Sequence, residues 1–131
     1  MEDYLQDIVR LSLASTPEEM LKKSLETCIR LSGADGGSIL GEEGPYLQFL
    51  FSDVQALIGV KVPLTSIAGA TVDQSRVIYT YAPSDKRHYD GVDEKLGQDT
   101  RYLLSIPIPS IHRKAAGGAP ARNAGALQLL F

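Results

Sequence analysis

A chain of 131 residues, 44% hydrophobic and 22% charged, is long enough to bury the core of one domain and too apolar to stay disordered. No apolar run approaches the roughly 20 residues of a membrane-spanning helix, and the acidic opening MEDYLQDIVR lacks the basic n-region of a signal peptide. The net charge of −3 argues against a nucleic-acid partner, and the lone Cys28 agrees with a reducing, cytoplasmic setting without membrane insertion.

In chain order, residues 2–14 set Leu5, Ile8, Val9 and Ser12 on one helical face, with Tyr4 and Leu11 beside it. STPEEMLKKSLETCIRLSG starts a second helix, with Thr16 as N-cap, Pro17 at the first helical position and Glu19 completing a capping box. Its stripe of Leu21, Leu25, Cys28 and Ile29 faces a core, and Gly33 stops it. Cys28 therefore reads as packing rather than chemistry. GGSIL and YLQFLFS read as strands joined by a turn in GEEGP. The second is apolar on both faces from Tyr46 to Phe51, so it should be covered on both sides.

Pro63 ends any extended segment there, and Thr65 or Ser66 can cap a short helix over Ile67 to Gln74. Gly69 weakens that helix by roughly 1 kcal/mol against alanine. VIYTYA is a third strand by its β-branched and aromatic content. Asp93 caps a short helical EKL that Gly97 ends. RYLLSIPI is a fourth strand, with Leu104, Ile106 and Ile108 on one face, and GALQLLF is a fifth. Pro107 conflicts with an interior strand, because proline lacks the ladder N–H. Hairpin-linked strands with inserted helices give an α+β class with an antiparallel sheet.

All sixteen carboxylates lie at or before Asp99; Arg101, Arg113, Lys114 and Arg122 follow it. That asymmetry suits an anionic ligand or partner, or else a solvated basic loop. The stretch from Ser110 to Gly125 is longer than a usual hairpin connection and is either a lid or a protrusion. Nucleophile-elbow and P-loop patterns are absent from the sequence. Asp93 and Glu94 are adjacent, so their side chains diverge, and His88 and His112 lack metal-ligand spacing. Neither catalysis nor a metal is expected, and no cofactor is named.

LSGADGGSIL, KVPLTSIAGATVDQSRVIY, DTRYLLSIPI and GALQLLF stand in an order that resembles the GAF domain, the small-molecule sensor module of bacterial signalling proteins and phosphodiesterases. The resemblance covers residues 16 to 131 and accounts for Pro107, since the family commonly has proline there. It implies a five- or six-stranded antiparallel sheet, terminal helices on one face that often pair with a second protomer, and short helices and loops roofing a ligand cavity on the other. Some members hold a tetrapyrrole on cysteine or reduce methionine sulfoxide with several cysteines, but Cys28 matches neither position. The cyclic-nucleotide signature would begin after Phe131.

An apolar terminus at LQLLF suggests a piece of a longer signalling protein, with a C-terminal helix and output module cut away. The implied pocket would draw Thr71 from the short helix and Tyr79, Tyr81, His88, Tyr89 and Arg101 from the roof. Tyrosines offer flat apolar faces with a hydroxyl, and an arginine offers a fixed fork for a carboxylate or phosphate. Ordinary strand packing for the tyrosines, and a surface ion pair of Arg101 with Asp99 or Asp93, remain the plain alternatives. The expectation is a sensory regulatory domain that binds a small molecule and forms a homodimer through its terminal helices, or else a ligand-free dimerisation module; in neither case an enzyme.

Overall fold

The computed structural model describes residues 16–87, 101–109 and 123–131. The expected helix over 2–14, the EKL turn, His88 and Tyr89, and the 110–122 loop lie outside those residues. Helix α1 spans Pro17–Ser32. Thr16 stands extended before it, and its hydroxyl accepts the Glu19 N–H at 3.1 Å. Glu18 and Glu19 face the positive end of the helix, and Gly33 closes it in the left-handed region at φ 71°. The expected stripe does face the core: Leu25 is buried, and Leu21, Cys28 and Ile29 pack around it.

Six strands follow: β1 Gly36–Glu43, β2 Tyr46–Ser52, β3 Lys61–Pro63, β4 Ile78–Tyr81, β5 Tyr102–Ile108 and β6 Gly125–Leu130. They form one antiparallel sheet in the order β3-β2-β1-β6-β5-β4. Its first and last strands in sequence, β1 and β6, sit side by side at the centre and are buried on both faces. That placement explains why GALQLLF is nearly continuous in apolar residues. Strand β3 is the addition to the expected five. It is three residues long, pairs with residues 46–48 of β2 and ends at Pro63.

Pro107 sits in an interior strand without breaking it. The 102–131 backbone bonds and the Ala124 N–H to Ile108 carbonyl bond aim the even residues of β5 at β6, so Pro107 turns its nitrogen toward β4. The last pair with β4 is Ile78–Ser105. Among the described residues no partner strand remains there to require an N–H.

Each face carries its own core. Leu25 of α1 packs on Ile39, Leu127 and Leu129, with Phe51, Leu104 and Ile106 beside them. Leu40, Leu47, Phe49, Leu57, Val62 and Ala126 pack on the other face against Ala68 and Val72 of helix α2, which spans Ile67–Gln74. β2 is fully covered on the α2 face alone, where Leu47 and Phe49 are buried; Tyr46 and Leu50 are exposed, so the expected second cover is missing over much of the strand. Leu50 is the extra residue of a bulge, since Ile39 pairs with Phe51 and Leu40 with Phe49.

Candidate functional site

The α2 face holds polar groups where a core would normally be apolar. Register aligns Ser105, Gln128, Ser38 and Ser52 across β5, β6, β1 and β2. Ser105 and Ser38 are buried, Gln128 nearly so, and fully buried Thr71 lies above them on α2. Thr71 Oγ1 is 2.9 Å from the Ile67 carbonyl and 2.7 Å from Ser105 Oγ, while Gln128 Nε2 donates to Ser105 Oγ at 3.2 Å. One proton order satisfies all three: amide to Ser105, Ser105 hydroxyl to Thr71, Thr71 hydroxyl to Ile67. Ser38 Oγ bonds Ser52 Oγ at 2.9 Å further along the row. Buried hydroxyls need such partners, because an unpaired one costs about 1–3 kcal/mol.

Helix α2 is held differently at its two ends. Ser66 caps the start by accepting the Gly69 N–H at 3.2 Å, and its own N–H donates to the Pro63 carbonyl at 3.0 Å. Gly69 packs so tightly on the Leu64 backbone that a Cβ would overlap the Leu64 carbonyl. At the far end Ser75 takes a left-handed φ of 50°, and Asn123 Nδ2 donates to the Val72 carbonyl (3.0 Å) and Ser75 Oγ (2.7 Å).

Beside α2, a hollow of about 450 Å³ opens between Thr65, Gly69, Asp73, Gln74 and Arg87. Arg87 is fixed there by the buried carboxylate of Asp85. Its Nε and a terminal nitrogen donate to the two carboxylate oxygens at 2.9 and 2.8 Å, and its backbone N–H adds a third bond. Thr80 Oγ1 supplies a fourth at 2.9 Å. The Arg87 hydrogen bonds, then its N–H and the Thr80 hydroxyl, hold the Asp85 carboxyl well below the usual carboxylate range, against the opposing pull of burial. A second hollow of about 550 Å³ runs along α1 on the opposite face, over Leu25, Ile29, Leu50, Phe51 and Ile58.

The residues expected to roof one pocket are divided between the faces. Ile78 pairs with Ser105 and shares the α2 face with it, so alternation turns Tyr79 and Tyr81 to the α1 face. There they are 63% and 46% exposed and flank Tyr102, with ring centroids 5.9 and 5.2 Å from it. Arg101 is exposed at the entry to β5, where its carbonyl accepts the Ala82 N–H. Thr71 belongs to the α2 face, and Arg101 continues the parity of Leu103 and Ser105, so among the described members of that set it is Tyr79 and Tyr81 that lie on the other face. Ser105, Gln128 and Asn123 were not singled out from the sequence, although Ser105 and Gln128 each interrupt an apolar strand word at an inward position.

Solved structures carry this architecture. A GAF domain from a phosphoenolpyruvate-protein phosphotransferase of Coxiella burnetii superposes with a TM-score of 0.74 at 16% identity, over 95% of this chain and 73% of that one. The chain has the GAF fold. The GAF domain of a two-component sensor histidine kinase from Bacillus halodurans matches at TM-score 0.65 and 18% identity, over 89% of this chain and 77% of that one. Free methionine-R-sulfoxide reductase from Neisseria meningitidis, solved with its substrate, matches at TM-score 0.69 and 10% identity, over 95% and 68%. No protein-family model and no curated protein matches the sequence. Among the described residues no helix is long and apolar enough to cross a membrane.

Proposed function

We propose that this GAF-fold chain is a sensory regulatory domain, not an enzyme, that takes a small polar molecule on its α2 face and relays occupancy to an output module. The observation that carries the reading is the buried row of Thr71, Ser105, Gln128 and Ser38 beneath a helix of only eight residues. A row of hydroxyls and an amide is a costly way to fill a core, and it suits a face that exchanges hydrogen bonds with a ligand. Arg87 lines a hollow beside α2, and with its Nε and one terminal nitrogen held by Asp85 it offers a ligand only its remaining guanidinium N–H groups. Parent proteins of GAF domains with this fold include a sensor kinase and a phosphotransferase. The reductase shows that the fold also accommodates catalysis. Cys28 gives no parallel to it: the thiol lies on α1 under the sheet's other face, and burial pushes its pKa up.

The test is a thermal-shift screen of nucleotides, amino acids and aromatic acids, with native mass spectrometry of the purified domain before and after denaturation. A ligand at a hundred times its Kd stabilises by about 2.7 kcal/mol, roughly 6–10 °C for a chain of this size. A bare mass and no shift with any class would sink the ligand reading. A second reading, a dimerising spacer, is favoured by the open apolar groove along α1, where Leu50 and Ile58 are exposed.

A further inference from the structure

We infer that Asn123 is a latch whose release lets the C-terminal end of α2 swing away from the sheet while its N-terminal end stays hinged. The inference rests on the α2 face being the sensing face and adds how access to it is controlled. Three observations carry it. The hinge end is pinned by backbone: Ser66 N–H bonds the Pro63 carbonyl, and Gly69 lies directly on Leu64. The middle is tied, among the described residues, by one side-chain contact to the sheet, Thr71 to Ser105. The far end is tied by one amide group.

Val72 is among the last four residues of α2, whose carbonyls have no intrahelical donor. Asn123 Nδ2 supplies that donor, and its other proton goes to Ser75 Oγ. Ser75 needs holding, because a non-glycine residue at φ 50° sits in a conformation that its side chain disfavours. Release of the amide thus frees the Val72 carbonyl and lets Ser75 leave the left-handed region. Both changes unwind the last turn and lift Val72 from Leu40 and Ala126, uncovering Thr71 and Ser105. Asn123 lies two residues before β6, the strand that carries Gln128, so the latch joins the roof to the floor of the same site.

Hydrogen exchange of the unliganded domain, read by mass spectrometry, tests the latch without any ligand. Asn123→Ala is expected to speed exchange of the amides from Thr71 to Ser75 at least tenfold while those of β1 and β6 keep their protection. Asn123→Asp keeps the side-chain shape but has no N–H to donate, so it should reproduce the effect. Unchanged α2 exchange in Asn123→Ala overturns the latch, as does an increase shared by β1 and β6. Wild-type protection in Asn123→Asp overturns it too, since shape rather than donation would then hold the helix. A failed ligand screen leaves these outcomes untouched, and a failed latch leaves the ligand screen untouched.

Discussion

At the residue scale, the Asp85–Arg87 pair shows how one carboxylate organises a turn. Its side chain is only 8% exposed while that of Arg87 is 37% exposed, so the pair is half-screened and its net worth is modest. Its pH dependence is nevertheless definite in sign. The folded carboxyl titrates below its unfolded value of roughly 3.9. The pair's stabilisation is therefore complete above that value and is lost as pH falls toward the folded pKa. Asp85→Asn keeps the shape but removes the charge. Urea midpoints should show it less stable than wild type at pH 7, with a clearly smaller gap at pH 3. An equal gap at both pH values would mean that hydrogen-bond geometry, not ionisation, supplies the stabilisation.

At the element scale, local chemistry reveals far more than long-range pairing. The caps and stripe of α1 were readable because Thr16, Pro17, Glu19 and Gly33 each act within one turn of their own position. The short helix over Ile67–Gln74 was readable for the same reason. The face of β4 was not. Its alternation is plain, but Ile78/Thr80 and Tyr79/Tyr81 are both amphipathic sets, and only the register of Ile78 on Ser105 decides which meets α2. The polar row likewise exists only once four strands separated in sequence are aligned. β3 escaped because three residues ending in proline carry little periodicity. Gly69 reads locally as a helix weakness, and Gly69→Ala would gain roughly 1 kcal/mol by propensity alone. The Leu64 carbonyl reverses that sign, because the added methyl meets backbone that cannot rotate away. The variant should melt several degrees lower by circular dichroism; a higher melting temperature would show that the Leu64 turn yields.

At the scale of the whole molecule, the sheet separates two jobs. The α2 face carries the polar row and the latch, whereas the α1 face carries an apolar groove of about 550 Å³ rimmed by Lys22, Glu26 and Asp53. Because β1 and β6 are buried on both sides, they are rigid shared walls, so a change confined to one face should stay there unless it moves those strands. Leu50 is a suitable probe: it is 43% exposed, it sits at the β2 bulge, and it lies over Gly41. Leu50→Glu gives up about 1 kcal/mol of partial burial, a loss of a few degrees in melting temperature. If the groove seats a second copy, the charge must enter an apolar contact, and sedimentation should move to monomer at concentrations where wild type associates. Any ligand-induced thermal shift should survive, because Thr71, Ser105 and Arg87 lie on the other face. Association unchanged by the glutamate would remove the groove as an interface, and loss of the ligand shift would show that the two faces communicate through β1 and β6.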